Sequence, residues 1–328
     1  MEKVLITGAY GFLGRHVVNE IKNSGYEVIA FGKSEEKLAG LKDGSVSIAV
    51  GDFTVADDII KATEGVDYVI HCGAKMANWG RKEDFVKVNV GGTQNVINAC
   101  RVNGVKRLVY TSSPSCRPLE DNLAFREEDY NVNNHISAYV ESKIMAEQLI
   151  KDETVVPWSA IRPRGLFGVG DRHLLPQLLK LNSGIGIPLF EKGEVVIDLC
   201  CIENVALALR LCMEKESAEG EIFNITNGEP RRLKELCEEL LPLFGVEPRF
   251  CHIPFGPVYA GAAAVEGIYK LLGIYDKAPP ITRHDLLTIS RSQVFDITKA
   301  KTVLGYTPKI TIREEAEKMA AQQKAAAQ

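Results

Sequence analysis

Tyr139 stands four residues before Lys143 in A-Y-V-E-S-K, 138–143. On a helix, residues i and i+4 meet on one face, so a phenol and an ammonium placed this way can work together. The chemistry open to them is delivery of a proton to a carbonyl oxygen during reduction. A free tyrosine, with a pKa near 10, is a poor proton shuttle at neutral pH. Bringing it near 7 takes roughly 4 kcal/mol of preferential phenolate stabilisation. A lysine ammonium in a partly dry site supplies much of that. Ser112 and Ser113 close the apolar run R-L-V-Y-T-S-S, 107–113. A serine hydroxyl there can orient the carbonyl and stabilise its negative charge. The same Tyr–Lys spacing also occurs on ordinary solvated helices, so the rest of the chain has to decide.

Ketone reduction needs a hydride donor, and T-G-A-Y-G-F-L-G, 7–14, offers a place for one. Gly8, Gly11 and Gly14 lie between the apolar run K-V-L-I-T, 3–7, and a helical pattern over 12–23. Glycines at such a strand-to-helix junction permit a tight turn and let the backbone approach a pyrophosphate. The helix N-terminus then turns its free amides to the phosphates. The expected cradle is Gly8, Tyr10, Gly11, Phe12, Leu13 and Gly14. An NAD site usually carries an acid after the second strand to hold the ribose 2′-hydroxyl. Here Gly32 takes that place, followed by Lys33 and Ser34. A cation and a hydroxyl suit a 2′-phosphate, which favours NADP(H) over NAD(H); the alternative is that Lys33 solvates a turn. Asp52, followed by Phe53, ends the third apolar run. It either reaches the adenine amino group or caps the next helix.

These residues need elements to hold them. Short β-branched runs at 3–7, 27–31, 46–50, 68–72, 107–111 and 158–162 read as strands buried on both faces. Helical patterns at 12–23, 84–102 and 138–151 lie among them, with Ser137 as N-cap of the last. The alternation predicts an α/β fold: a Rossmann doubly wound parallel sheet with a second, smaller mixed α/β lobe. Helix 202–214 and strand 222–226 read as further members of the sheet. The expected division is 1–165 plus 198–226 for the dinucleotide and 166–197 plus 227–328 for the substrate. In such a sheet, ligands sit beyond the carboxyl ends of the strands, so Ser112 and Ser113 emerge at the cofactor end.

The totals narrow the field. The 328 residues are 45% apolar and 25% charged, with a net charge of −4. That is an ordinary soluble composition, and it disfavours nucleic acid as a partner. Eight cysteines form no C-x-x-C pair, and no histidine sits at zinc-ligand spacing from them. The expectation is reduced, buried thiols in a cytoplasmic protein and no metal. No signal peptide and no membrane-spanning run is read in the sequence.

T-G-x-x-G-x-x-G, the T-S-S strand end and Y-x-x-x-K, in this order, resemble the extended short-chain dehydrogenase/reductases, also called the NAD-dependent epimerase/dehydratase family. The resemblance covers nearly the whole chain. It implies Tyr139 as acid/base, Lys143 as its tuner and ribose ligand, and Ser113 as the catalytic hydroxyl, with Ser112 the fallback. It places Cys72, Gly73 and Ala74 in the loop lining the cofactor, and Pro163 through Leu166, including Gly165, beside the nicotinamide. V-N-V-G-G-T, 88–93, matches the family's N-x-x-G-T segment. His71 has no partner that the sequence names and reads as structural.

Within the family, G-A-K-M-A-N-W-G (73–80), R-P-R-G-L-F-G-V-G-D (162–171) and the segment 281–308 resemble the 3β-hydroxysteroid dehydrogenase-like branch, and within it the 2-alkyl-3-oxoalkanoate reductases. That implies a hydrophobic ketone or alcohol as substrate and a homodimer packed through helices 84–102 and 138–151. The alternative is a sugar-nucleotide epimerase with retained NAD, for whose diphosphate Arg172, Arg231 and Arg232 are available; a dehydratase is disfavoured because no acid follows Ser113. The apolar stretch 257–274, with Glu266 and Lys270 on a polar side, reads as a lid over the substrate, an interfacial helix in peripheral lipid contact, or plain core. Trp79 either lines the pocket or simply packs.

Overall fold

The computed structural model describes residues 1–116, 120–190 and 193–326. Seven strands form the central sheet: β1 (Lys3–Thr7), β2 (Glu27–Gly32), β3 (Val46–Val50), β4 (Tyr68–His71), β5 (Arg107–Thr111), β6 (Trp158–Pro163) and β7 (Glu221–Ile225). Their spatial order is β7-β6-β5-β4-β1-β2-β3, with every pairing parallel. The order reverses between β1 and β4, so the loops leaving these two strands open a crevice at the switch point.

The helices are α1 (Phe12–Asn23), α2 (Glu35–Ala39), α3 (Ala56–Ala62), α4, α5 (Ala138–Lys151), α6 (Leu174–Ser183), α7 (Ile202–Glu214), α8 (Leu233–Leu240), α9 (Phe255–Leu271), α10 (Arg283–Ser290) and α11 (Ile312–Ala326). In α4, Lys82–Phe85, Val86–Gly91 and Gly92–Asn103 run on as one helix whose middle turn is π-wound. Helices cover both faces of the sheet. On one, Val17, Val18 and Ile21 of α1 pack with Val205, Ala206 and Leu209 of α7. Ile297, Ala300, Leu304 and Tyr306, far along the chain, join that same core. On the other, Ile59, Val96, Cys100, Ala146 and Ile150 cover β4 and β5. The alternation of each helix's apolar stripe with its polar face dictates this layering.

The second lobe is smaller. Its four-stranded sheet joins Asn122–Phe125, Val196–Ile197, Arg231–Arg232 and Gln293–Phe295. Two short parallel pairs accompany it, Leu166–Phe167 with Cys200–Cys201 and Ile187–Leu189 with Phe250–His252. Helix α9 spans most of the stretch left open above, yet only Ala262 and Glu266 of it are buried, so it is not a core helix. Glu266, expected on the polar side, is instead its buried polar anchor. The C-terminal tail continues α11; its last two residues lie outside the described ones.

No helix among the described residues is long and apolar enough to cross a membrane. Among them, too, no cluster of His, Cys, Asp and Glu is arranged to hold a metal. Cys100, Cys200, Cys201, Cys212 and Cys237 are buried free thiols; Cys72 and Cys251 are half-buried ones.

Candidate active site

Ser137 opens α5, its Oγ accepting from the Val140 amide at 3.3 Å. That cap fixes where the helix begins, and so fixes Tyr139 in its first turn. Tyr139 is half-buried and lines a cavity of about 340 Å³ with Trp79, Phe85, Ile136 and Tyr275. One turn on, Lys143 is only 3% exposed. Its Nζ donates to the Tyr110 hydroxyl at 2.6 Å and to the Thr111 carbonyl at 2.7 Å. Lys143 therefore ties the helix to the carboxyl end of β5.

The two serines at that strand end have different partners. Ser112 Oγ donates to Glu147 Oε2 at 2.6 Å. Arg162 grips the same carboxylate with two parallel bonds, Nε to Oε2 at 2.8 Å and Nη2 to Oε1 at 2.6 Å. Among the described residues, Ser113 Oγ accepts a long bond, 3.2 Å, from the Ser115 amide. The buried Glu147–Arg162 pair holds the strand end in place and takes up Ser112. Ser113 keeps the more available hydroxyl.

The glycine loop is folded so tightly that side chains would fill it. Gly8 has φ +67°, and a Cβ there would come within 2.9 Å of Gly73 Cα, where the loops after β1 and β4 touch. A Cβ on Gly14 would meet Ala9 Cα at 2.8 Å. The bare backbone turn beyond β1 fits a dinucleotide's pyrophosphate. Leu13 is buried, and Phe12 meets His16 edge-on at 6.0 Å. The Tyr10 ring lies where a side chain at Gly32 would project, 2.6 Å from its Cβ. The missing acid thus has a packing reason. Lys33 pairs with Asp52 at 2.7 Å, and Lys37 sits 5.5 Å from the Tyr10 ring centre. Ser34 caps α2, accepting from the Lys37 amide at 3.4 Å.

Asp52 does more than one job. Its Oδ1 accepts from the Thr54 amide at 2.9 Å. Burial alone would raise its pKa, but bonds from Lys33 and Thr54 hold the carboxyl below the usual range. Phe53 is buried, its ring filling the space beside Gly73. Cys72 accepts from Thr111 Oγ1 at 3.6 Å, and Ala74 is exposed. Pro163 ends β6; Gly165 follows with φ +57°, and Leu166 pairs with Cys200. That stretch carries the chain out of the sheet into the second lobe.

His71 has the partners that the sequence did not name. Its Nδ1 is 2.6 Å from Thr7 Oγ1 and its Nε2 is 3.1 Å from Thr93 Oγ1. Thr93 donates its own proton to the Asn89 carbonyl at 2.6 Å, so the consistent assignment puts the ring proton on Nε2. Thr7 in turn accepts from the Gly73 amide at 3.2 Å. Burial, helped by the Lys143 charge, lowers the His71 pKa to about 3, so the ring is neutral at physiological pH. Asn89, in the π-wound turn, accepts from the Lys75 amide at 2.7 Å and donates to Ser142 Oγ at 2.9 Å. It joins the loop after β4 to the helix of Tyr139. Pi-wound turns recur at functional sites because the extra residue re-aims side chains. The signal for Asn89 and Thr93 was the N-x-x-G-T segment, and for Arg162 the R-P-R-G-L-F-G stretch; Tyr110 and Glu147 gave none without the fold.

Comparison with known proteins agrees with this architecture. Residues 4–226 match the NAD dependent epimerase/dehydratase family. A 2-alkyl-3-oxoalkanoate reductase of Stenotrophomonas maltophilia is 33% identical, over 95% of this chain and 96% of that protein. A 3beta-hydroxysteroid-dehydrogenase/decarboxylase (isoform 2) of Arabidopsis thaliana is 32% identical, over 94% of this chain and 60% of that protein. Among solved structures, MoeE5 in complex with UDP-glucuronic acid and NAD superposes with a TM-score of 0.77 at 23% identity, covering 99% of both chains. UDP-glucose 4-epimerase of Thermotoga maritima gives 0.77 at 20%, covering 99% of this chain and 100% of that one. At such identities the structural likeness speaks to the fold. The chain belongs to the NAD dependent epimerase/dehydratase family and is an NAD(P)-dependent enzyme of the short-chain dehydrogenase/reductase type, acting on CH–OH or C=O groups.

Proposed function

We propose that the enzyme reduces the 3-oxo group of a hydrophobic substrate, such as a long-chain 3-oxo acid or a sterol, or oxidises the corresponding alcohol. The carrying observation is Tyr139 on the wall of the cavity, one helical turn from Lys143. The dinucleotide, when bound, supplies or accepts hydride. Tyr139 donates the proton to the carbonyl oxygen, and Ser113 hydrogen-bonds that oxygen as charge develops. Lys143, a buried cation at the end of β5, favours the phenolate and so eases the tyrosine's proton release. The apolar wall of Trp79, Phe85 and Ile136 suits a greasy substrate. The two relatives named above are, by their names, a reductase of 2-alkyl-3-oxoalkanoates and a dehydrogenase of 3beta-hydroxysteroids, which supports this class.

The cofactor is NADP(H) in preference to NAD(H). Gly32 supplies no acid to repel a 2′-phosphate, and Lys33 and Lys37 bring two cations to the end of β2. The cofactor contacts are Gly8, Tyr10 to Gly14, Lys33, Ser34, Asp52, Phe53, Cys72 to Ala74, Tyr139, Lys143, Pro163, Gly165 and Leu166. Residues 1–165 plus 198–226 hold the dinucleotide; 166–197 plus 227–328 close the substrate side. The setting is the cytoplasm, where the free thiols stay reduced.

Two surfaces extend the proposal. Val102 and Met145, exposed on α4 and α5, mark a homodimer face; a monomer in sedimentation at all concentrations sinks it. Ile268, Leu271 and Leu272 at the end of α9 mark a lipid contact; no retention on anionic vesicles sinks that.

The test of the activity follows NADPH and NADH consumption in parallel. The panel holds a long-chain 3-oxo acid, a 3-ketosteroid and a UDP-sugar, with Tyr139→Phe as control. Turnover of a hydrophobic ketone, lost in Tyr139→Phe, is expected. No turnover of either ketone, with dinucleotide retained through purification and a UDP-sugar converted, overturns the reading in favour of an epimerase.

A further inference from the structure

The cavity beside Tyr139 is not uniformly greasy. Its wall carries Arg81, Lys82 and Lys270, facing Glu83, Glu141 and Glu266. Most of the acids are already neutralised. Glu141 pairs with Lys82 and, at 3.1 Å, with His135. Glu266, only 4% exposed, accepts from Arg283 Nε at 2.9 Å and from the Arg283 amide at 2.6 Å. Glu83 is left, exposed in the first turn of α4.

Arg81 and Lys270 are arranged differently. Among the described residues, neither has a carboxylate within ion-pair distance. Each is held over an aromatic ring instead. The Arg81 guanidinium is 5.7 Å from the Tyr275 ring centre, and Lys270 Nζ is 5.8 Å from that of Trp79. Those two rings stack on each other at 6.0 Å and 19°, and Trp79 Nε1 is fastened to the Ile274 carbonyl at 2.9 Å. A cation resting on a ring face keeps its N–H donors for an anion, whereas one in a salt bridge has spent them. The two charges also come from separate elements, Arg81 from the loop before α4 and Lys270 from α9.

We infer that Arg81 and Lys270 form an anion clamp that takes the substrate's carboxylate while Tyr139 takes its carbonyl oxygen, making the enzyme selective for oxo acids over neutral esters and carboxylate-free ketones. This rests on the reading of Tyr139 as acid/base. It goes further by assigning recognition to two residues outside the reacting centre. A diphosphate would meet the same cations, and the test separates the two sources.

The test compares wild type with Arg81→Gln, Lys270→Gln and the double variant. Kinetics use a 3-oxo fatty acid and its methyl ester. Binding, measured without turnover by quenching of Trp79 fluorescence, uses dodecanoate, methyl dodecanoate and UDP-glucose. A charge-assisted hydrogen bond is worth about 1.5–3 kcal/mol, so each single variant is expected to raise KM for the acid about tenfold or more. Its kcat, and all kinetics with the ester, stay unchanged. Dodecanoate binding weakens in step. Equal use of acid and ester by the wild type, or dodecanoate binding unchanged in the double variant, overturns the clamp. UDP-glucose binding tighter than dodecanoate through the same two residues overturns the carboxylate and makes the anion a diphosphate. Clamp-dependent dodecanoate binding without turnover of either ketone supports the clamp and removes the proposed reduction instead.

Discussion

Ser112 Oγ lies 2.6 Å from Glu147 Oε2, a bond that commits the first of two adjacent serines to the interior of the protein. Its neighbour Ser113, which accepts from the Ser115 amide, is the serine proposed to bond the substrate's carbonyl oxygen. Ser113→Ala is therefore expected to lower kcat about 10²–10³-fold with little change in melting temperature, as loss of an oxyanion donor does. Ser112→Ala should do the reverse: near-normal kcat, with about 1–3 kcal/mol of stability lost because a buried carboxylate loses a donor. Initial rates and denaturant melts on the two variants decide it. A catalytic collapse in Ser112→Ala with Ser113→Ala active would reverse the assignment.

Glu147 and Arg162 are both buried and joined by two bonds. Removing one member leaves the other as an uncompensated charge. Glu147→Ala should cost about 3–5 kcal/mol in urea unfolding. A loss under 1 kcal/mol would mean that water reaches Arg162 and the pair does not position the strand end.

The His71 pKa of about 3 lies below its value of about 6.5 in the unfolded chain. The folded state therefore binds fewer protons between these limits. The contribution is fully present above pH 6.5 and is lost as pH falls toward 3, by up to about 1.4 kcal/mol per pH unit. His71→Asn should flatten the acid limb of the stability curve across that window. An unchanged slope would show that the ring is protonated in the native protein.

The Lys33–Asp52 pair joins an exposed lysine to a half-buried acid near the surface and so is worth only about 0–1 kcal/mol. Lys33 can leave it for a 2′-phosphate at little cost. Lys33→Ala is expected to raise KM for NADPH about tenfold while leaving NADH unchanged. Wild-type preference for NADH in the same assay would remove the 2′-phosphate argument but not the reductase.

The strands of the sheet, α1, α5 and α7 were legible because each carries its own period of apolar residues between turn signals. Tyr139, Lys143 and the glycines were legible because their spacing is local. What escaped depends on residues distant in sequence. Glu266 looked like a surface acid because its partner Arg283 is seventeen positions on. His71 looked solitary because Thr7 and Thr93 come from other elements. The π-wound turn at Val86–Gly91 hides inside an otherwise ordinary helical pattern. Lys33 read as a free cation, whereas Asp52, just past the end of the next strand, already holds it.

The apolar stripe of α1 is covered by α7, and the sheet is finished by β7. Both are made only after the chain has left to build part of the second lobe. A nascent chain emerging from the ribosome therefore carries α1 with its partner still unsynthesised. The core seals later still, when Leu304 and Tyr306 arrive. Cutting the gene after residue 165 would yield an aggregating fragment and not a small nucleotide-binding protein, because the two lobes are interwoven in the order of synthesis.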